Sequence, residues 1–552
     1  MPNLVKLLID AKKDRQLTDS AEKTSVPQGA SSLWRPLRSS TFRNLLVADV
    51  VSDVGTFMQS VGAAWLMVSL HAGPIYVALT QTASSLPFFL LALPAGSAGD
   101  IFDRRKLILA TESWMVCIAF LIAALTITGF MSPWLLLALT FALSAGDAFE
   151  TPTWRAVLPE LVPKAELTAA SALNGIEFNL ARAVGPALAG VLIAAAGVAA
   201  AFVVNFFSFF GVILVVARWK RPIRTPSTPP ETLTGATVAA VRYVRHSPAI
   251  LIILVRTGAV MFFSSALFAL LPSVAHSVNK SAIGYGLLLG SFGAGAIAGA
   301  LIMQWARSGW SSDVILSAGV AILGLVIFSM SGMHTLSTLA LVMLPGGAAW
   351  VVFISLISTS IQYQAPDWVR ARVLAIFMLV YQGSFSLGSA TWGAVAQRSG
   401  IGIALAVAGI GTFAMIVFAL FATLPDSAAD LTPWNHWRLP VVREGDPDLQ
   451  LGPVLVTVEY SVPPKHEAQF VESIHRYARI RRRDGAYRWG VYRDTEASYK
   501  YVEIFLVHSW SEHLRQHERQ TAADRELEQL LRSYLTKDTV VHHLIYAHAK
   551  EN

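Results

Sequence analysis

Along most of this chain apolar residues do not alternate with polar ones; they run on for twenty or more positions and are broken by short polar turns. A helix needs roughly 20 apolar residues to cross about 30 Å of hydrocarbon. Twelve stretches qualify, near 42–70, 75–98, 106–128, 132–151, 168–196 and 199–217, then 249–275, 282–305, 313–331, 335–361, 369–397 and 402–424. They predict an all-α polytopic membrane protein with two six-helix bundles, 35–217 and 249–425. The segment between them, 218–248, opens RWKRPIRTPSTPP and continues into Glu231–His246, a predicted amphipathic surface helix. After a polar linker, 426–452, the period changes to two. Within 453–549, PVLVTVEYSV, AYRWGVYRD, YKYVEIFLVHS and VVHHLIYAH read as strands, with helices over 466–482 and 510–535. That βαββαβ order predicts a small α+β ferredoxin-like domain, an antiparallel sheet with both helices on one face. Residues 1–34 carry scattered charges and no uninterrupted apolar core, so they read as a cytoplasmic arm and not as a signal peptide.

Composition sharpens this. The chain is 54% hydrophobic and only 14% charged, against about a quarter charged in soluble domains. Its net charge of +7 is spread over short loops, which points to membrane orientation and away from nucleic acid as a partner. Arg104, Arg105, Lys106, Arg155, Arg218, Arg307 and Arg370 fall on one side, Lys280 and Arg398 on the other. Both termini are therefore expected in the cytoplasm, with the protein multi-pass in the cell membrane and the lipid bilayer as its first partner. Trp34, Trp219, Trp310 and Trp368 lie near span ends and are expected to anchor at the interface. The single Cys117 allows neither an internal disulfide nor a cysteine metal site. No GxxxxGK[ST] loop occurs, which argues against an ATP-driven pump.

The charges inside spans carry the chemistry, because each costs about 3 kcal/mol at mid-bilayer and persists for a reason. The fifth span, NGIEFNLARAVGPALAGVLI, holds Glu177 and Arg182, then a smooth face of Ala181, Gly185, Ala189 and Gly190, with Pro186 bending it. Asp49 and Asp53 are four apart in the first span and share a face. Depth matches Asp53 to Arg182, and Asp49 to Glu177, so these four are the expected proton pathway; the alternative is a static buried ion pair. Glu112, Asp147 and Glu150 are expected near the cytoplasmic face, in a gate network or solvated. Arg256 is expected either to attract an anionic substrate or to snorkel. Gln59, Gln81, Tyr381 and Gln382 suit a polar cavity lining, or interhelical hydrogen bonds.

Three motifs carry resemblances. PAGSAGDIFDRRK, with Gly96, Asp100, Arg104, Arg105 and Lys106, resembles the loop between helices 2 and 3 of the major facilitator superfamily. There the glycine allows close helix contact and the charges close a cytoplasmic gate; Ile101 and Asp103 depart from that pattern. The matching loop of the second half, GALIMQWARS, keeps Gly299 but has Met303 in place of the acid. Gly185, Pro186 and Gly190 resemble the helix-5 motif of the superfamily's antiporters. With DAFETPTWRAVLPELVPKAELTAAS, residues 362–396 and SWSEHLRQHERQTAADRELE, the resemblance narrows to the transmembrane secretion effector branch, which includes enterobactin-exporter-like proteins. It implies a secondary transporter exporting a small molecule of the siderophore, drug or natural-product class, by proton antiport with alternating access and without a cofactor.

The tail resembles the dimeric α+β barrels of cofactor-free quinol monooxygenases. That implies dimerisation through this domain, and it opens the alternative of a membrane-anchored oxygenase fed by the bundle. Among His475, His508, His513, His517, His542 and His543, the pair His513 and His517 shares one face of a charged helix. That face is expected to be solvated, and no metal site is expected.

Overall fold

The computed structural model describes residues 33–219, 233–423, 430–432, 434 and 451–547. Residues 1–32 of the expected N-terminal arm, 220–232 of the first linker and most of the linker at 426–452 fall outside them. The first bundle comprises α1 (Ser40–Ser69), α2 (Pro74–Ile101), α3 (Arg104–Ile127), α4 (Pro133–Leu161), α5 (Leu167–Ala196) and α6 (Val198–Arg218). An amphipathic helix, α7 (Leu233–Arg245), falls where one was expected, and its last turn holds Arg242 and Arg245. The second bundle comprises α8 (Pro248–Val278), α9 (Ala282–Ala306), α10 (Ser312–Met330), α11 (Leu336–Gln364), α12 (Asp367–Ser399) and α13 (Ile401–Phe421). Ten of these helices are long and apolar enough to cross a membrane. The two that fall short, α1 and α4, carry Asp49 and Asp53, and Asp147, Glu150 and Glu160, so their polarity serves the protein interior.

Helix starts follow local rules. Ser39, Asp103, Ser132, Ser281, Ser311 and Thr335 each accept a hydrogen bond from a first-turn backbone N–H, and such caps typically contribute about 1 kcal/mol apiece. Gly197 and Gly400 end α5 and α12 at φ of 83° and 92°, a left-handed conformation that glycine adopts without a Cβ penalty.

Packing repeats across the halves. In the first bundle α1 packs on α5 and α6, α2 on α4, and α3 on α6; in the second, α8 packs on α12 and α13, α9 on α11, and α10 on α13. The bundles meet through the matched pairs α5 with α9 and α2 with α12. Those contacts lie toward the end remote from the α6–α8 linker. A Cβ on Gly190 would come within 3.0 Å of the Gly286 Cα, and one on Gly293 within 2.9 Å of the Ala183 Cα. Nearer the same end Trp65 stacks on Tyr285 and meets His276 edge-on.

The tail folds as β1 (Val454–Ser461), α14 (Glu467–Asp484), β2 (Arg488–Arg493), β3 (Lys500–Val507), α15 (Trp510–Arg519), α16 (Ala522–Ser533) and β4 (Val540–Ile545). Its sheet order is β2-β3-β1-β4, antiparallel throughout, which is the ferredoxin-like arrangement. The helix expected over 510–535 breaks at Gln520, where Thr521 and Asp524 cap a fresh helix start reciprocally. Val454, Val456 and Val458 from β1 meet Phe470, Ile474 and Tyr477 from α14 in the tail core.

The tail rests on the second bundle. Arg242 of α7 donates to Glu512 Oε1 at 2.6 Å, the Arg519 guanidinium lies 4.5 Å over the Trp368 ring, and that of Arg483 lies 5.5 Å over Tyr243. Trp368 is thus covered by the tail and Trp219 is buried, so neither is the plain interfacial anchor expected. Trp34 and Trp310 remain exposed.

Candidate functional site

Four helices of the first bundle bring their acidic residues to one place. Asp49 and Asp53 descend one face of α1, Glu112 comes from α3, Asp147 and Glu150 from α4, and Glu177 from α5. Asp53 and Glu177 lie carboxyl to carboxyl, and both sense Asp49. Glu150 faces Glu112 and Asp147 and is also in the field of Asp49. Neutral donors thread the group: Thr111 Oγ1 donates to Glu150 Oε2 at 3.3 Å, Thr151 Oγ1 donates to Asp147 Oδ1 at 3.0 Å, and the Trp154 indole borders Asp49. Glu112 and Glu177 are buried, at 1% and 4% exposure, each with one carboxylate oxygen lacking a hydrogen-bond partner among the described residues.

Arg182 is the cation facing this group. It feels Asp53 within its own bundle and Tyr381 across the gap, and its guanidinium lies 4.7 Å over the Phe178 ring. Tyr381 stacks parallel on Phe385 of α12. The expected quartet of Asp49, Asp53, Glu177 and Arg182 is therefore brought together. Glu112, Asp147 and Glu150, expected near the cytoplasmic face, belong to the same buried cluster.

Other expected site residues go elsewhere. Gln59 is buried and accepts a hydrogen bond from Asn205 of α6, which makes it an interhelical tie and not a cavity lining. Arg256 neither snorkels nor awaits an anion. It is 5% exposed and paired with Asp313, and it donates to the Ala422 carbonyl at 3.3 Å. Gln382 sits half-buried on α12 beside Tyr381.

At the loop between α2 and α3, Arg104 reaches Glu160 Oε1 at 2.8 Å and the Ala156 carbonyl at 2.7 Å, tying α3 to the end of α4. Arg105 donates to the Val216 and Ala217 carbonyls at 3.1 and 2.6 Å, closing the open end of α6. The Lys106 backbone N–H is capped by Asp103. The Asp100 side chain lies outside what the structure describes. Gly96 departs from expectation, since a Cβ there would meet nothing within 4 Å among the described residues, and no close packing there calls for glycine. Gly299 does carry that role, with a Cβ meeting Ala348 of α11 at 2.5 Å. In the helix-5 motif Gly190 packs between the bundles, whereas Gly185 packs within the first, its Cβ position 2.7 Å from the Phe57 Cβ.

Two six-helix bundles with repeated internal packing, joined at one end and enclosing a buried ionisable cluster, define a secondary transporter of the major facilitator class, built for small-molecule efflux. The transmembrane secretion effector family matches residues 31–551, and the chain belongs to it. That family consists of transporters, which sets aside the oxygenase alternative for the chain as a whole. Relatives include the staphyloferrin A transporter of Staphylococcus aureus, 25% identical over 67% of this chain and 92% of its own. The enterobactin exporter EntS of Salmonella choleraesuis is 25% identical over 69% and 91%. The multidrug efflux pump Tap of Mycolicibacterium fortuitum is 23% identical over 65% and 89%. In fold, the chain resembles a bacterial homologue of the lysosomal transporter Spinster, inward-facing and unoccupied, at TM-score 0.55 and 13% identity, over 70% of this chain and 96% of that one. It also resembles the nucleoside transporter NupG, at TM-score 0.56 and 12% identity, over 69% and 98%.

Proposed function

We propose that this protein exports a small amphipathic or anionic compound across the cell membrane in exchange for protons. The observation that carries the proposal is the convergence of six carboxylates from four helices in one buried cluster, with Arg182 beside Asp53 at its edge and Tyr381 across from Arg182. Carboxylates packed together in a low-dielectric interior share protons in place of all carrying charge. A guanidinium that approaches or retreats as the bundles rock changes how many protons they hold, and that exchange couples proton flow to substrate movement. The staphyloferrin A and enterobactin named for two relatives support a small-molecule substrate of the siderophore class. Both termini lie in the cytoplasm in this reading, on the strength of the loop charges. With the bundles meeting at the end remote from the linker, the cavity then opens inward.

Asp53→Asn tests the coupling. In proteoliposomes, net export driven by a pH gradient should fall at least tenfold while substrate exchange without a gradient continues. Undiminished proton-driven export by the normally inserted variant would reduce the cluster to a static packing device.

The open face of the tail sheet presents Leu455, Ile504, Leu506 and Leu544, aligned across β1, β3 and β4, with Tyr492 on β2. A second copy of this chain is the partner we propose for that face. Light scattering of the detergent-purified protein should show a dimer that Leu544→Asp converts to monomer.

A further inference from the structure

The tail holds a second cluster that transport chemistry does not use. His513 and His517 stand one turn apart on α15, with Nε2 atoms 3.1 Å apart, and His543 arrives from β4. The register explains the third ligand: His543 is paired with Val456, whose side chain is in the tail core, so alternate residues of β4 point toward the helices. The expected solvated face is a misreading for His513, which is 2% exposed beneath Trp510 and β4. His475 and His508 go elsewhere, against Trp489 and Tyr487, and His542 alternates to the other face of β4.

We propose that His513, His517 and His543 bind one divalent transition-metal ion of the imidazole-preferring class, with Zn2+ as its probe. One nitrogen from each ring falls within 4.8 Å of the others. A tetrahedral Zn2+ with bonds of about 2.0–2.1 Å holds imidazole nitrogens about 3.3 Å apart, so the His513–His517 pair already has the spacing and only His543 has to close in. Two histidines at i and i+4 on one helix face are a spacing that suits zinc. Polar atoms also await a partner. His543 Nε2 and Gln520 Oε1 are buried with no hydrogen bond among the described residues. Both residues line one cleft with His513 and His517. Gln520 Oε1 thus offers an unpaired acceptor on the wall of the histidine cleft, and acceptors around the ligands steady such sites.

The electrostatics agree. Arg481, the one arginine or lysine lining the cleft among the described residues, is committed to the buried Glu503 by two hydrogen bonds, at 3.1 and 3.3 Å. Glu503 also accepts from Tyr460 and Trp489, so the arginine's charge is matched in place. An all-imidazole set with an open position selects Zn2+, Cu2+, Ni2+ or Fe2+ over Mg2+ or Ca2+.

The site sits back to back with the docking surface, since Glu512 and Arg519 of the same short helix hold the tail on α7 and on Trp368. A bound cation would fix the helix that joins tail to bundle.

The test uses the full-length protein, purified in detergent without a histidine tag, stripped with chelator and dialysed against Zn2+. The wild-type chain should retain about one Zn2+ per chain, and Co2+ in its place should show the absorption bands of tetrahedral, nitrogen-ligated cobalt. His517→Ala, at the half-exposed position, and His543→Gln should each weaken Zn2+ retention at least tenfold without moving the melting temperature of the metal-free protein. His475→Ala should retain the metal. Absence of stoichiometric Zn2+ from the wild-type chain, or equal retention by the His517 and His543 variants, overturns the site.

Discussion

Arg256 shows how much a single residue's role depends on what the chain brings beside it. Alone in the second bundle's spans it reads as bait for an anion, but Asp313 at the start of α10 neutralises it, and Ser317 and the Ala422 carbonyl take further donors. Removing one partner of a buried pair costs about 3–5 kcal/mol, because the other charge stays behind unpaired. Arg256→Ala should therefore lower the melting temperature markedly, and Arg256→Ala with Asp313→Ala should recover most of the loss. An unchanged affinity for anionic substrate in the double variant would confirm that Arg256 serves stability alone. Within the cluster, Asp49, Asp53, Glu177 and Arg182 were legible in the sequence because each lies within an apolar run. Glu112, Asp147 and Glu150 were not, because helical periodicity places them near span ends without revealing that α4 packs against both α1 and α3.

At the scale of elements, small residues decide where helices touch. Gly190 on α5 and Gly286 on α9 come so close that a Cβ on either would press on the other's backbone, at 3.0 and 2.9 Å. The contact is backbone against backbone, so neither helix can turn a side chain aside. Overpacking typically costs about 1–3 kcal/mol. Gly190→Val is expected to lower stability by that order and to suppress transport at least tenfold by wedging apart the end where the bundles meet. Gly96→Ala has open space and should alter neither, as thermal melts and uptake into inverted vesicles would show. The contrast inverts what the loop resemblance implied for Gly96, and it could not be anticipated, since both glycines sit in equally apolar helices. The tail's second helix makes the same point. Its charge pattern continues smoothly through Gln520, and only the reciprocal cap of Thr521 and Asp524 breaks it in two.

For the whole molecule, the docked tail is the feature that length and hydropathy did not foretell. Arg242 and Glu512 pair with little exposure, 12% and 14% for their side chains. Glu512 also holds Arg519 at 2.7 Å, and together the two guanidinium groups keep its carboxyl below the usual range against the opposing effect of burial. Arg242→Ala leaves Glu512 with Arg519 and, at 3.7 Å, Arg515 of its own helix, and should weaken docking by about 1–3 kcal/mol, on the scale of a charge-assisted hydrogen bond. Glu512→Ala removes the acceptor shared by all three arginines and should cost more. A double-mutant cycle on cross-linking between α7 and the tail would read the coupling; a coupling near zero would mean that Trp368 and Tyr243 hold the tail without the ion pair.

The sequence by itself determined the spans, the two bundles, the strand and helix order of the tail and the four ionisable residues at the heart of the cluster. Hydrophobic run length, period-two alternation and the cost of charge in lipid are all local, and local patterns can be read in one dimension. Only the tertiary structure decided which partners meet: the three further acids, Asp313 beside Arg256, Asn205 beside Gln59, the close crossing at Gly190, and His543 beside His513 and His517. Those pairings join residues far apart in the chain, and they follow from helix tilt and strand register, which a single sequence leaves unstated.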